Sequence, residues 1–277
     1  MDGSAVMRTA SEAPVTTLRD QLPDHASEAD DRQLAIDKVG IRGLQYPIVV
    51  WDRANEVQHT VATVAMYVAL PPHFKGTHMS RFVEVLQERR GEVTLGTIEP
   101  FLEHLQQRLE SHEVHLELAF PYFIEKRAPV SGVPSLMSYD CEFVASRAGE
   151  VMDFMLQVTV PVKSLCPCSK AISEYGAHNQ RSLVTVAVRA ESMVWIEQVV
   201  DVVEACASAP LFALLKREDE KYVTELAYDN PRFVEDLVRD VVIGMRALPG
   251  VNWLRVSADN QESIHNHAAF AEIMWRA

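Results

Sequence analysis

The order in which hydrophobic patterns follow one another constrains this fold most, because the same order occurs twice. In the first half, two strand patterns, one of them at Thr60–Leu70, precede two helical stripes and two further strand patterns. The second stripe places Ile98, Leu102, Leu105 and Leu109 on one helix face. The second half repeats the order, with helical patterns in "WIEQVVDVVEACA" and "NPRFVEDLVRDVVIGMRAL". Two ββααββ orders in one chain indicate an internal duplication.

The duplicated order predicts both the fold class and the domain organisation. We expect an α+β chain in which each unit is an antiparallel sheet with a helix pair on one face. The first unit is predicted to span residues 36–148 and the second residues 149–277, because "SRAGE" breaks the strand pattern between them. Residues 1–35 are rich in Ser, Thr, Asp, Glu and Pro, which predicts a disordered acidic tail. Such sheets commonly hide their helix-free face or their edges in oligomers.

Composition excludes several classes of function. The chain has 277 residues, 48% of them hydrophobic, and a formal net charge of −13 at pH 7. A general nucleic-acid binder would carry a basic face, so we expect no nucleic-acid partner. No apolar run approaches the roughly 20 residues that span a bilayer, and the N-terminus lacks a signal peptide's apolar core, so we expect no membrane partner. Four cysteines make no disulfide framework at this size, which predicts a cytoplasmic protein with reduced thiols.

One stretch without regular periodicity concentrates reactive side chains. "SLCPCSKAISEYGAHNQRS", residues 164–182, contains Cys166, Cys168 and His178. We expect the Cys-Pro-Cys segment to be extended with its two thiols facing apart, which argues against a disulfide between them. One thiolate and His178 could belong to a metal site that is completed elsewhere in the chain. The alternative interpretation is two buried thiols and a loop histidine.

Two segments near the C-terminus could complete such a site. In "SADNQESIHNHAAF", a strand that begins near Ile264 would place His265 and His267 on one face, with Glu262 on the preceding turn. Paired histidines suit metal binding or acid–base chemistry, and the alternative is a partly exposed strand start. The segment "KREDEK" is typical of a solvated loop, although one of its carboxylates could complete a Cys/His site.

A third segment, "PPHFKGTHMSRF", suggests an anion site. A Gly-Thr-His turn leads into a helix there, with Lys75 and Arg81 nearby. Such a turn could hold an anion on free N–H groups and cations, and the alternative is an ordinary strand-to-helix turn. No Walker loop, dinucleotide fingerprint or zinc-finger spacing is present in the sequence.

Taken together, these segments resemble a known family. The motifs that carry the resemblance are "GTHMSRF", "APVSG", "SLCPCSK.IS.YGAHNQRS", "DEKYVTE.AY.NP.FVED" and "ESIHNH". In this order, from about Val39 to the C-terminus, they look like the type IB GTP cyclohydrolases. The resemblance implies two tandem T-folds in each subunit and a homotetramer with active sites between subunits. It also implies that GTP and water become 7,8-dihydroneopterin triphosphate and formate, the first step of tetrahydrofolate biosynthesis.

The resemblance further implies roles for individual residues. The residues that look like ligands of a divalent manganese, iron or zinc ion are Cys166, His178, Glu220 and His265. Choosing Cys166 over Cys168 as the thiolate ligand rests on the resemblance alone. Glu235 of "FVED" resembles the glutamate that anchors the guanine edge. The further substrate-binding candidates are Lys75, Thr77, His78 and Arg81, and the candidates for proton transfer are Glu262, His267 and Cys168.

Two other functions remain open from the sequence. Another purine or pterin T-fold enzyme, such as a nitrile reductase, would use Cys166 as a nucleophile with NADPH and would need no metal. A non-enzymatic assembly protein would instead hold a structural zinc ion in a closed, four-coordinate site, and removing that ion would unfold the domain.

Overall fold

Antiparallel strands dominate the chain, and helices fill the connections between them. The computed structural model describes residues 24–88 and 96–277. The strands are β1 Ile36–Asp52, β2 Glu56–Leu70, β3 Glu113–Arg127, β4 Pro134–Ala148, β5 Val151–Leu165, β6 Asn179–Ala190, β7 Ala209–Pro210, β8 Val251–Gln261 and β9 Ala268–Arg276. The α-helices are α1 Met79–Glu88, α2 Ile98–Leu109, α3 Pro167–Ile172, α4 Ile196–Cys206, α5 Arg217–Asp229 and α6 Val234–Arg246. Among these described helices, none is both long and apolar enough to cross a membrane.

The described strands form one sheet that runs through both halves of the chain. The strand order is β1-β2-β3-β4-β5-β6-β8-β9, every neighbouring pair is antiparallel, and β7 pairs with β5. A tight turn at Gly149 and Glu150 joins β4 to β5, and Gly149 has a φ of 59°, which favours glycine. The predicted boundary between two units falls at this turn, and the division at that point stays a prediction.

Helices cover one face of the sheet, and the opposite face carries polar side chains that hydrogen-bond to one another. From Leu156 to Val162, every second side chain of β5 is buried, as strand alternation requires. One apolar core continues from these side chains to α1, α2, α4 and α6, and the predicted helical stripe of α2 is buried in it. On the opposite face, Gln157 donates to Glu142 at 3.0 Å and accepts from Arg255 at 3.2 Å. The sheet therefore has one face buried under helices and an opposite face that carries a hydrogen-bonded polar cluster on β4, β5 and β8.

The N-terminal segment differs from the predicted disordered tail. Residues 1–23 of that prediction lie outside the described residues. From Asp24 onward the chain is placed against the loop between β2 and α1. The backbone N–H of Gly76 donates to the carbonyl of Ala26, and that of Lys75 donates to the carbonyl of Glu28, both at 3.1 Å. These bonds give a polar, charged segment a defined place without any apolar core of its own, which composition alone could not predict.

Candidate active site

Strand register brings three of the predicted site residues to one end of the sheet. β5 ends directly before Cys166, β6 begins directly after His178, and β8 ends directly before Glu262. The last residue of β5, Leu165, pairs with the first residue of β6, Asn179. The last residue of β8, Gln261, pairs with Arg181, two residues into β6. Residues that are far apart in sequence thus lie at neighbouring strand ends.

A short helix and Ser169 hold Cys166 and His178 together. Pro167 is the first residue of α3, where its missing N–H costs no hydrogen bond, and Cys166 is the N-cap. The backbone N–H of Ser169 donates to Cys166 Sγ at 3.4 Å, and its hydroxyl accepts from the N–H of His178 at 3.1 Å. The N–H of Cys166 in turn donates to the carbonyl of His178 at 3.1 Å. Three hydrogen bonds therefore close the loop between β5 and β6.

The expectation of an extended Cys-Pro-Cys segment is wrong, because α3 begins at Pro167. An extended segment would also have put positions i and i+2 on the same face, so it gives no reason for the two thiols to face apart. Cys166 is half-buried and Cys168 is exposed. The alternative interpretation of two buried thiols is therefore wrong for this structure.

The ring of His178 lies beside two side-chain oxygen atoms. Its Nδ1 atom is 3.1 Å from Gln180 Oε1 and 3.5 Å from Glu262 Oε2. The side chains of His178 and Glu262 are only 14% and 12% exposed. Within the described part of the chain, Glu262 Oε2 is buried and makes no hydrogen bond. A buried carboxylate oxygen without a partner is costly, so this position favours a ligand that brings a proton donor or a cation.

A buried polar layer lies next to these strand ends on the helix-covered face. Ser182 Oγ donates to Ser164 Oγ at 3.0 Å, and Asn260 Nδ2 donates to the same atom at 3.4 Å. All three side chains are at most 2% exposed. Buried hydrogen-bonded groups need specific geometry, so this layer restricts how β5, β6 and β8 can shift relative to one another.

His265 and His267 lie before the last strand of the structure, although the sequence placed them inside it. β9 begins at Ala268, so the expectation of a strand from near Ile264 is wrong. The two rings nevertheless stack, with centroids 5.1 Å apart and planes at 22°. Both histidines are exposed. They form a histidine pair on the segment that follows Glu262.

Glu220 lies in the first turn of α5, where the sequence predicted a solvated loop. Its neighbour Asp219 explains the helix, because its carboxylate accepts the N–H of Lys216 at 2.9 Å across the first turn. The same carboxylate accepts the N–H groups of Val130 and Ser131 at 2.8 Å each, and the Ser131 hydroxyl at 2.6 Å. Asp219 thus ties the "APVSG" motif to the helix that carries Glu220.

These contacts also set the charge of Asp219. Burial by itself raises the pKa of this carboxyl group. Hydrogen bonds from the Ser131 hydroxyl and from the backbone N–H groups of Ser131, Lys216 and Val130 outweigh burial, and they hold the pKa well below its usual range. Asp219 is therefore an anion at physiological pH, and it does not titrate near neutrality.

The predicted ligands are not grouped around one point in this structure. Within residues 24–88 and 96–277, no three His, Cys, Asp or Glu side chains are close enough to hold one metal ion. Cys166 and His178 are neighbours, whereas Glu220 and His265 are exposed on separate segments. The guanine-anchor candidate Glu235 is likewise exposed, in the first turn of α6. The four-residue ligand set stays a prediction.

The four predicted triphosphate contacts lie together on the turn before α1 and on its first residues; they are Lys75, Thr77, His78 and Arg81. The three basic side chains among them each have an acidic partner in the chain: Glu28 for Lys75, Asp24 for His78 at 3.3 Å, and Glu110 for Arg81 at 3.9 Å. The N–H groups of Lys75 and Gly76 also have partners, so the expectation of free N–H groups is wrong for these two.

Comparison with known proteins now decides the family. The family described as "Type I GTP cyclohydrolase folE2" matches residues 22–271. The chain belongs to this family. The GTP cyclohydrolase FolE2 of Geobacter sulfurreducens is 54% identical over 252 residues, which cover 91% of this chain and 97% of that protein. The FolE2 of Pelobacter propionicus is 53% identical over 252 residues, 91% of this chain and 98% of that protein.

Solved structures show the architecture of this FolE2 family member. A uricase from Bacillus fastidious superposes with a TM-score of 0.54, covering 89% of this chain and 94% of the uricase, at 11% sequence identity. Similarity at this identity shows the fold alone. The predicted α+β tandem T-fold is confirmed, with both ββααββ orders contributing to one sheet.

Three residues at the candidate site of this FolE2 chain were not singled out from the sequence. Ser169 and Gln180 contact His178, and Asp219 anchors the helix of Glu220. Two of them carried a signal in their spacing. Ser169 lies three residues after the N-cap Cys166, where helix N–H groups lack partners, and Gln180 lies two residues after His178 at the start of β6.

Proposed function

We propose that this chain is a metal-dependent GTP cyclohydrolase that converts GTP and water to 7,8-dihydroneopterin triphosphate and formate, the first step of tetrahydrofolate biosynthesis. The observation that carries the proposal is the convergence of Cys166, His178 and Glu262 at one end of the sheet, in a chain that belongs to the FolE2 family. The order of the motifs along the chain supports the finer assignment to type IB.

Cys166, His178, Glu220 and His265 would hold the divalent ion, which we propose to be manganese, iron or zinc. Their sulfur, nitrogen and oxygen donors suit these borderline ions. The buried Oε2 of Glu262, which makes no hydrogen bond in the described part of the chain, adds negative charge beside His178 and so favours binding of a cation by that ring. When bound, the ion lowers the pKa of a coordinated water and so supplies hydroxide near neutral pH.

Guanine recognition is assigned to Glu235. A carboxylate can accept two N–H bonds from the guanine edge, and adenine does not offer the same pair of donors. Glu235 is exposed in the first turn of α6, so its carboxylate is open to a ligand. Losing such a charge-assisted hydrogen bond costs about 1.5–3 kcal/mol, before any misalignment of the ring is counted.

The reaction moves several protons, and three side chains are placed to carry them. Hydrolysis opens the guanine imidazole ring at the carbon between its two nitrogens, and that carbon leaves as formate. The ribose then opens, rearranges and closes onto the pyrimidine. Glu262 can accept a proton on its free Oε2, and the exposed His267 and Cys168 can exchange protons with the opened intermediates.

The basic turn before α1 would bind the triphosphate. Lys75 and its partner Glu28 are both close to half exposed, and the side chain of His78 is 31% exposed beside Asp24. Ion pairs this exposed contribute little to stability, because water screens them. A triphosphate carries more charge than one carboxylate, so it would displace these partners from Lys75, His78 and Arg81.

The working assembly would be a homotetramer with active sites between subunits, in the cytoplasm. In the described residues, β1 and β9 are the two edges of the sheet. On β9, Phe270 and Met274 are 63% and 64% exposed. An edge strand with exposed apolar side chains favours pairing with another chain. A second copy would also explain why Glu220 and Glu235 face solvent in one chain.

Incubation of the purified chain with GTP and Mn²⁺ tests the proposal. We expect formate to be released and a fluorescent pterin to form after oxidation of the product, with no NADPH consumed. Elemental analysis of the same preparation should find a divalent metal. Oxidation of NADPH without formate release would contradict the cyclohydrolase and would indicate a cysteine-dependent reductase instead. A closed structural zinc site with no turnover would contradict both enzymes.

A further inference from the structure

Two side-chain oxygen atoms lie near the Nδ1 atom of the His178 ring. Gln180 Oε1 lies 3.1 Å from Nδ1, and Glu262 Oε2 lies 3.5 Å from the same atom. Gln180 is 7% exposed, and it belongs to β6, whose hydrogen bonds to β5 fix its backbone. The amide oxygen is therefore held at a set place relative to the ring.

This arrangement selects one protonation pattern of the ring. A neutral imidazole carries one N–H, and the nitrogen that faces an acceptor keeps it. Both oxygen atoms face Nδ1, and an ionised carboxylate can only accept. The pattern that satisfies them is Nδ1–H donating to Gln180, which leaves the lone pair of Nε2 free. Nε2 is then the ring atom that can bind a metal ion.

We propose that Gln180 is a positioning residue that holds His178 as the Nδ1–H tautomer, with Nε2 available as the ligand atom. This inference rests on the proposed function, since it gives His178 its role at the metal. In this pattern Gln180 Oε1 accepts the hydrogen bond from Nδ1–H, at an N···O distance of 3.1 Å, and the buried Oε2 of Glu262 makes no hydrogen bond in the described part of the chain. That oxygen stays free for proton transfer.

A neutral amide suits this position better than a second carboxylate. Glu262 already places one carboxylate within 3.5 Å of Nδ1. A second one beside it would add like-charge repulsion in a site that is mostly shielded from water. The amide oxygen accepts a hydrogen bond and adds no charge, so the ring is oriented without changing the net charge around it.

Two substitutions of Gln180 and one control separate positioning from packing. Gln180→Met keeps the length of the side chain and removes the acceptor, whereas Gln180→Glu keeps an acceptor oxygen. Ser182→Ala changes a buried polar residue on the same strand, whose hydroxyl bonds to Ser164 and not to His178. Each full-length variant is examined by thermal unfolding, by equilibrium dialysis with Mn²⁺ alone, and by ¹⁵N NMR of the histidine rings without metal, with His178→Ala assigning the signal.

We expect the wild-type His178 signal to report Nδ1–H, and Gln180→Met to lose this single tautomer. Mn²⁺ affinity should fall about 10–100-fold in Gln180→Met, the usual cost of removing the partner of a metal-binding histidine. Gln180→Glu should keep the tautomer, and Ser182→Ala should keep both properties. A wild-type Nε2–H tautomer, or unchanged tautomer and affinity in Gln180→Met, would overturn the inference.

Mn²⁺ dialysis tests the proposed metal centre, and ¹⁵N NMR of the metal-free chain tests the role of Gln180, so one can fail without the other. If the wild-type chain bound no Mn²⁺, the metal centre of the proposed function would fail, and the tautomer of the metal-free ring would still decide the role of Gln180. If Gln180→Met failed to fold, the wild-type tautomer and the Gln180→Glu variant would decide it.

Discussion

Lys126 joins the two halves of the chain, and replacing it should weaken the fold. Its Nζ atom, at the end of β3, donates to Glu204 of α4 and to the carbonyl of Leu211, both at 2.7 Å. The same ammonium lies 4.4 Å from the ring centroid of Phe212. The Tyr139 hydroxyl also donates to Glu204 at 3.1 Å. The perturbation is Lys126→Met, which keeps most of the apolar stem and removes the charge.

The structure gives the expected size of the effect. After the change, Glu204 keeps only the Tyr139 hydroxyl among these donors, and the Leu211 carbonyl loses the ammonium. Two charge-assisted hydrogen bonds at about 1.5 kcal/mol each amount to about 3 kcal/mol. Removing one partner of a fully buried pair costs about 3–5 kcal/mol. Since Lys126 and Glu204 keep 12% and 15% exposure, we expect the lower value, about 3 kcal/mol.

Urea unfolding measures this loss, with all variants at one protein concentration, since the stability of any oligomer depends on concentration. Lys221→Met is the matched control, since Lys221 pairs with Glu225 on the surface of α5 with 71% and 60% exposure. The control should change the free energy of unfolding by about 0.5 kcal/mol or less. Combining Lys126→Met with Glu204→Gln should cost less than the two separate changes added together. Equal effects of Lys126→Met and Lys221→Met would refute this reasoning.

Three further predictions concern the site. Cys166→Ala should fold but lose both its metal after dialysis and its turnover, while Cys168→Ala keeps its metal; the reverse pattern in elemental analysis would exchange the two assignments. Glu235→Ala should keep fold and metal and lose most GTP turnover, and normal turnover would refute the guanine anchor. Asp219 has a lowered pKa in the folded chain, so its stabilisation is present above its ordinary pKa and is lost as the pH falls through the folded value. The stability advantage of wild type over Asp219→Asn should therefore shrink below about pH 4, and parallel pH profiles from unfolding curves would contradict this.

Regular elements could be predicted because their signal is local. The stripe of α2 and the alternation along β5 are properties of consecutive residues. The structure buries the stripe of α2 as predicted, and it buries every second side chain of β5 from Leu156 to Val162. The helix at "KREDEK" was missed because its start depends on Asp219, whose other partners Val130 and Ser131 lie 89 and 88 residues away. Composition describes that segment correctly as charged, and it does not show the contacts of Asp219 with Lys216, Val130 and Ser131 that fix where the helix begins.

The sequence supplied candidate residues for the site, and it did not supply their geometry. The motifs pointed to Cys166 and His178, but the helix that begins at Pro167 and the role of Ser169 follow from hydrogen bonds that spacing does not specify. The histidine pair was expected in a strand, whereas the chain reaches β9 only at Ala268. The positions of short turns depend on which neighbours satisfy their backbone groups, and one sequence does not reveal those neighbours.

The most direct measurement follows the fate of one carbon atom. GTP labelled with ¹³C at the guanine imidazole carbon is incubated with the purified chain and Mn²⁺, and formate and pterin are quantified by NMR and fluorescence. We predict one labelled formate for each pterin formed, and neither product when Cys166→Ala replaces the wild-type chain. Label that stays in the nucleotide, or a pterin that still contains it, would contradict the proposed cyclohydrolase.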